Sequence, residues 1–373
     1  MEMKVCHMTC DHNRYDTRIF QKECKSLANN GYDVSLIVAD GNGDEEIENV
    51  KIYDIGSNKV SRIKRFVQYL KIRNRLIKKA IDLDCNIYHF HDPELVMVGL
   101  SLQRKGKKVI FDMHEDFPQY IAEKDYLPMS KYISRIYEGI ESFCVKRFSG
   151  IITTRQCIDD RIKDLNKNIQ MITNFPIMVE KYERNEPEVP TVVFAGAIDE
   201  GWRHKMIIEA IDSIDNIKYV LAGNATEEYL SELKALKGWK KVDYLGRIPF
   251  SKVCELYQNS TIGIAVYNYC PNMGWKEGNL ANNKMFEFMN FGLPYICTDY
   301  RLWKQIVEEE EKCGLCVNPD DLHQLIDALN YLINNPEERK RMGENGRRAV
   351  VEKYNWAAQE KLLLSFYKKI ENN

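Results

Sequence analysis

The sequence predicts an α/β protein built from two Rossmann-like, doubly wound domains that face each other across a cleft, and three observations carry that prediction. Short β-branched and apolar runs alternate with helical patterns from the first residues, the sign of βαβ units and a parallel sheet. The alternation stops at Asn174-Phe175-Pro176 and a charged, proline-containing stretch, 178–190, and then starts again. At 373 residues the chain is long enough for two domains, each with its own core.

Taken in order, the first domain (1–176) offers strands near 4–9, 33–39, 50–55, 86–91, 108–113, 150–154 and 170–173. Helices fall between them. The first spans 17–29 and ends at Asn30-Gly31, a pair suited to the left-handed position that closes a helix. Residues 177–190 read as a linker. The second domain (191–354) offers strands at 191–196, 218–222, 242–245, 263–267, 295–298 and 315–317. Helices there fall around 206–214, 227–236, 250–259, 284–291, 322–334 and 336–352. After a break at Tyr354-Asn355, the last segment (355–373) reads as one more amphipathic helix.

Composition narrows the function classes. Hydrophobic residues make up 44% and charged residues 29%, an ordinary globular balance. The formal net charge of −2 argues against a nucleic-acid partner held by overall positive charge. The start lacks a long apolar segment, and nowhere do about 18 apolar residues run together, so a cytoplasmic protein is expected. Eleven cysteines without an export signal suit reduced thiols. Cys313 and Cys316 have CxxC spacing but no partner pair for zinc. One charge feature departs from the average: residues 59–79 carry nine cations and no acid, with apolar residues at helical spacing.

Parallel sheets bind ligands beyond the carboxyl ends of their strands, so the loops there are where chemistry is sought. Residues 279–299 are the most informative. Asn282 or Asn283 can cap a helix whose first turn presents free N–H groups, and Lys284 adds a formal charge, an arrangement suited to a diphosphate. Glu287, one turn further, can accept from two adjacent hydroxyls such as those of a ribose. The plain rival is a solvated i, i+3 ion pair. Asp82-Leu83-Asp84 has the form of a metal-binding DxD, but it sits between a helix and a strand at the wrong end of the sheet and reads as a loop.

The phrase NKMFEFMNFGLPYICTD (283–299) resembles the nucleotide-sugar-binding stretch of the retaining GT-B glycosyltransferases of family 4. The stretches 16–38, 87–100, 109–121, 245–264, 314–329 and 342–356 resemble bacterial members that build surface polysaccharide, so the resemblance covers nearly the whole chain. It implies a GT-B architecture with the C-terminal helix crossing back to the first domain. It also implies that Glu287 holds the donor ribose, while Asn279 stands where the family has a glutamate contacting the donor sugar. Ala197 stands where members carry an arginine for the diphosphate, which makes Arg203 and Lys205 the candidates for that role. His114 matches a histidine beside the donor sugar. Glu115, Asp116, Asp16 and Arg18 are acceptor-side candidates, and Arg247-Ile248 are placed near the nucleobase.

The resulting expectation is transfer of a sugar from a nucleoside diphosphate sugar to a carbohydrate or lipid-linked acceptor. By the resemblance, configuration is retained and no metal or other cofactor is needed. Two other classes are weighed. His89, His91 and Asp92, with His114 and Glu115, have the residue types of a metal-dependent hydrolase. Alternatively the chain is a non-catalytic sugar-nucleotide-binding partner, with Asn279 and Ala197 as marks of lost activity. The basic segment 59–79 adds an expected peripheral contact with anionic membrane on the cytoplasmic face.

Overall fold

The structure is a computed structural model that describes residues 3–57, 65–124 and 128–372, with residues 65–70 described by their backbone alone. The chain divides into two compact units, Met1–Asn174 with Trp356–Asn373, and Phe175–Asn355.

The N-terminal unit carries β1 (Lys4–Met8), β2 (Asp33–Val38), β3 (Glu45–Ile47), β4 (Val50–Asp54), β5 (Ile87–Phe90), β6 (Lys108–Met113), β7 (Gly150–Thr153) and β8 (Ile169–Met171). They form one sheet in the order β3-β4-β2-β1-β5-β6-β7-β8, parallel except for the β3–β4 edge. The central strands are buried end to end, as the near-continuous apolar runs VCHM, LIV and VIF require of a sheet covered on both faces. The first helix starts with a π-wound turn, Ile19–Cys24, and continues as α1 (Lys25–Asn29). Then come α2 (Arg65–Leu83), α3 (Val96–Gln103), α4 (Phe117–Ala122), α5 (Ser130–Val145) and α6 (Gln156–Ile162).

The C-terminal unit has a six-stranded parallel sheet. Its strands are β9 (Thr191–Ala195), β10 (Lys218–Ala222), β11 (Val242–Gly246), β12 (Ile262–Ala265), β13 (Tyr295–Thr298) and β14 (Gly314–Val317), in the order β11-β10-β9-β12-β13-β14. The helices are α7 (His204–Ser213), α8 (Glu227–Lys234), α9 (Phe250–Gln258), α10 (Lys284–Asn290), α11 (Arg301–Lys304), α12 (Leu322–Asn334) and α13 (Pro336–Glu352). In both sheets the strand order turns back on itself at the middle, β1/β5 and β9/β12, which is the topology that opens a ligand crevice at the strand ends.

Residues 177–190 form neither helix nor strand and are bonded to the second unit rather than swinging free. Arg184 donates to the carbonyls of Tyr257 (2.6 Å) and Ser260 (2.7 Å). The last helix, α14 (Trp356–Asn372), returns to the first unit, where Leu363, Phe366, Tyr367 and Ile370 are buried against the core. Trp356 Nε1 donates to Ser26 Oγ at 2.9 Å, and a Cβ on Gly150 would lie 2.5 Å from the Phe366 ring, so only glycine lets this helix lie so close on β7.

α7 is locked to the second sheet by His204, which is fully buried with its ring edge-on to Phe194 and its Nδ1 2.9 Å from Tyr219 Oη. Burial pushes its pKa down to about 3. Below its ordinary value the unfolded chain binds a proton that the native state refuses, so stability falls as pH falls from about 6.5 towards 3. Between pH 6 and 4 the wild type should lose about 1.4 kcal/mol per pH unit more than His204→Phe. Urea unfolding of both proteins across that range checks this, and parallel slopes would count against a neutral buried imidazole.

Candidate functional site

In the C-terminal unit the loops after β9, β10 and β11 are drawn together by glycine. Gly196 N donates to the Ala222 carbonyl (2.9 Å) and Gly223 N to the Gly246 carbonyl (2.8 Å). A Cβ on Gly223, whose φ is +145°, would stand 1.7 Å from the Gly196 oxygen, so no other residue permits this approach. The result is a floor of bare backbone at the carboxyl ends of the central strands. Lys284 lies over it: a Cβ on Gly196 would meet Lys284 Cε at 2.8 Å.

Lys284 opens α10, and its Nζ sits 3.2 Å from Glu287 Oε2, the two side chains being 17% and 21% exposed. This is the i, i+3 pair of the plain reading, but it is sheltered rather than solvated. Tyr257, fully buried on α9, donates to the same Glu287 oxygen at 2.9 Å. The other Glu287 oxygen is left facing outward as an acceptor among the described residues, with a cation one turn away. Capping falls to Asn282, whose Oδ1 accepts from Lys284 N at 3.1 Å, while Asn283 has helical backbone angles and a buried Oδ1 without a hydrogen-bond partner among the described residues.

Several expected site residues have structural partners instead. Asn279 is buried, with Nδ2 donating to the Asn272 carbonyl (3.0 Å) and Oδ1 accepting from Ala281 N (3.0 Å), so its amide braces its own loop. Neighbouring Glu277 is tied to Arg301. Arg203 donates to the Pro319 carbonyl (2.8 Å) and pairs with Asp320 (2.9 Å), and Lys205 pairs with Glu232 (2.6 Å). Both pairs are exposed ion pairs, whereas Lys284, itself paired with Glu287, is the sheltered one and the one whose stem lies against Gly196. Arg247 is exposed and Ile248 half-buried, in the loop after β11.

The N-terminal unit holds a polar centre that composition gives no hint of. Asp112, on β6, is fully buried. Burial alone would raise its pKa, but Arg18 and His114 overcome that and hold it well below the ordinary range. Arg18 grips it with two bonds, Nε to Oδ2 at 2.8 Å and Nη2 to Oδ1 at 3.0 Å. Arg18 is thus a buried brace rather than an acceptor contact. Asp16 likewise turns inward, accepting from the backbone N–H groups of Arg18 (2.8 Å) and Ile19 (3.0 Å). His114, 19% exposed beyond the end of β6, places Nε2 2.9 Å from Asp112 Oδ2. Asp116 caps α4 and lies 3.4 Å from Arg161 Nε, while Glu115 is exposed beside it.

The hydrolase grouping assembles only in part: His91 Nδ1 is 3.3 Å from His114 Nε2, with Asp112 beside both, while Asp92 and Glu115 are engaged or directed elsewhere. His89 and His91 are wholly buried, Asp92 accepts from Thr9 Oγ1 (3.0 Å) and Cys10 N (2.5 Å), and Glu115 points to solvent. A metal hydrolase needs a ligand position open to water, which His89, His91 and Asp92, sealed from solvent, do not provide.

Two family profiles match the chain in succession: "Glycosyltransferase Family 4" over residues 18–175 and "Glycosyl transferases group 1" over 178–349. The chain belongs to the GT-B glycosyltransferases of this type. The transferase is similar to the sulfoquinovosyl transferase of Arabidopsis thaliana, 19% identical over 355 residues, or 91% of this chain and 67% of the plant protein. It is 30% identical over 83 residues to the MMP α-(1→4)-mannosyltransferase of Mycolicibacterium hassiacum, a match spanning 22% of this chain and only 20% of that enzyme. In fold it resembles Anabaena HepE, a structure in complex with UDP-glucose, with a TM-score of 0.73 at 11% identity over 99% of this chain and 100% of that one.

Read as a glycosyltransferase, the chain shows which site residues the sequence reading passed over. Tyr257, Gly196, Gly223 and Asp112 were not singled out. Tyr257 lies in an amphipathic helix and the glycines in ordinary strand-end loops, while Asp112 interrupts an apolar strand, VIFDM, and is the one that could have been flagged as a buried charge needing a partner. Tyr257→Phe removes one hydrogen bond to Glu287 without altering the core volume. Its expected effect is about 0.5–1.5 kcal/mol on the affinity for a nucleoside diphosphate sugar, with the fold intact. Titration calorimetry on variant and wild type measures it; an unchanged affinity would detach Tyr257 from the site.

Proposed function

We propose that this glycosyltransferase moves a sugar from a nucleoside diphosphate sugar to a hydroxyl of a carbohydrate or lipid-linked acceptor, with retention of configuration. The observation that carries the reading is the sheltered Lys284–Glu287 pair above the Gly196 and Gly223 backbone, in the stretch that matches the family's nucleotide-sugar motif. In this reading Glu287 accepts from the ribose hydroxyls, and Lys284 with nearby backbone N–H groups stabilises charge growing on the departing diphosphate. No metal is needed at the phosphates, because the protein supplies the positive charge. The departing phosphate takes the acceptor's proton on the face where the new bond forms, so no side chain acts as a nucleophile. In the N-terminal unit His114, partly exposed with Nε2 2.9 Å from Asp112 Oδ2, is the candidate site residue.

Glu287→Ala should weaken donor binding by about 1.5–3 kcal/mol, the worth of a charged hydrogen bond. A screen of UDP-, GDP- and dTDP-sugars by thermal shift and donor hydrolysis, without added Mg²⁺ or Mn²⁺, identifies the donor first. Binding with no turnover of any donor, with acceptors present, would favour the non-catalytic partner; strict dependence on added metal would contradict the charge assignment.

A membrane contact also belongs to this proposal, at a different surface from the one the basic segment suggested. Residues 59–64 lie outside the described residues, and further along α2 the apolar face is turned into the core, with Ile72, Leu76 and Ala80 buried. α5 does the opposite. Tyr132, Ile133, Ile136, Ile140 and Phe143 are 40–63% exposed along one face of α5. Lys131, Arg135, Lys146 and Arg147 are exposed on or just after that helix. An apolar stripe edged by cations fits an anionic bilayer surface, where an acceptor carried on lipid would be reached. No helix among the described residues is long and apolar enough to cross a membrane. Sedimentation with vesicles containing phosphatidylglycerol should capture the wild type and release the Ile136→Glu/Ile140→Glu variant. Equal sedimentation of the two, or a dimer that this variant dissociates, would contradict the assignment.

A further inference from the structure

We propose that the N-terminal unit binds one divalent transition-metal ion of zinc's coordination type, with His7, Glu23, His89 and His91 as its four ligands. These residues come from β1, the π-wound turn before α1, β5 and the position just after β5, and all four side chains are shielded from solvent. One ligand atom from each lies within 4.8 Å of the ligand atoms of the other three. His7 Nδ1 is 3.0 Å from His91 Nε2, and Glu23 Oε2 is 3.9 Å from His91 Nε2 and 4.0 Å from His89 Nε2. Around an ion with bonds of about 2.0–2.1 Å, tetrahedral ligands stand about 3.3–3.4 Å apart. The two Glu23 distances would close by about half an ångström and the His7–His91 distance would open slightly to meet that geometry.

Two independent observations point to a bound cation. Buried polar atoms nearly always have partners, because leaving one bare in the interior forfeits its solvation for nothing. Yet His89 Nε2 and both Glu23 carboxylate oxygens are buried with no hydrogen-bond partner among the described residues. Arg18 Nε approaches one Glu23 oxygen at 3.1 Å, but its own bonds go to Asp112. The outward nitrogen of each imidazole, by contrast, is already oriented. His91 Nδ1 is 3.3 Å from Asp112 Oδ2, His89 Nδ1 is 2.8 Å from Tyr367 Oη, and His7 Nε2 is 3.3 Å from the same hydroxyl. A ring that donates its outer N–H to an oxygen turns the lone pair of its other nitrogen inward, which is the second layer that metal-binding histidines use.

The donor set selects the ion. Three imidazoles and one carboxylate suit Zn²⁺, Co²⁺ or Ni²⁺ and not Mg²⁺ or Ca²⁺, which take oxygen ligands. Beside it the Asp112 carboxylate is paired with the single guanidinium of Arg18, and Glu23, as a ligand, would bring one negative charge to the ion. With four protein ligands and no route to solvent the site is structural: it would clamp β1, β5 and the first helix, and does not take part in sugar transfer.

Protein purified from zinc-supplemented medium without chelator should contain about one metal ion per chain by elemental analysis. Cobalt-loaded protein should show the visible absorption bands of tetrahedral Co²⁺. Chelator-stripped wild type should regain its melting temperature on addition of Zn²⁺, a readout that needs no variant to fold. Tyr367→Phe, which leaves all four ligands in place, should weaken Zn²⁺ binding by about 10–100-fold. The double change Glu23→Gln/His89→Gln should abolish it. Wild-type protein without metal, whose melting temperature neither Zn²⁺ nor Co²⁺ moves, would overturn the proposal, as would full metal content in the folded double variant.

Discussion

The two-pronged bond between Arg18 and Asp112 is the interaction on which the N-terminal unit depends. Both side chains are almost wholly out of water, and an ion pair in that position is held by necessity: removing one partner strands the other charge, at about 3–5 kcal/mol. Arg18 also donates to the Ile172 carbonyl, just past β8, at 2.9 Å, so one guanidinium fixes the start of the first helix against two strands of the far half of the sheet. That placement carries Glu23 inward to the histidines of β1 and β5. It also leaves Asp112 able to hold His114 at the surface. A chain of side chains from Tyr367 to His114 thus shares one fixed charge.

The C-terminal unit meets a different constraint. A diphosphate carries charge over several oxygens, and a site for it needs backbone N–H groups close at hand more than it needs side chains. At the proposed donor site Gly196 and Gly223 bring two strand-end loops to a separation no Cβ would tolerate; their own N–H groups are bonded to the Ala222 and Gly246 carbonyls, so what they offer a ligand is close approach to bare backbone. Lys284 and Glu287 then stand at one edge, steadied from below by Tyr257 in the core. The functional side chains are few because the backbone forms most of the surface.

These differences explain what could be read from the sequence. The parallel strands and the main helices were legible because their apolar runs and punctuation agree with the fold at every level. β3 was not, since three residues, Glu-Glu-Ile, at an exposed antiparallel edge carry no periodicity. Lys284 and Glu287 were legible through spacing and the family motif. Arg203 and Lys205 were legible as cations near a strand end, but not their partners: sequence does not show the acid, Asp320 or Glu232, that each meets from a distant segment. Arg18 was misread because its partner, Asp112, is 94 residues away, the one charge in the apolar strand VIFDM.

The central claim is that the donor nucleotide lies on the glycine floor of the C-terminal unit, beneath Lys284 and Glu287. Amide hydrogen exchange, followed by mass spectrometry with and without a saturating nucleoside diphosphate sugar, tests it most directly. Peptides covering 194–200, 222–226 and 279–290 should exchange more slowly when the donor is bound, because a ligand seated on these loops shields them from water and holds their hydrogen bonds closed. Protection confined to other segments, with these three unchanged at saturation, would contradict the account.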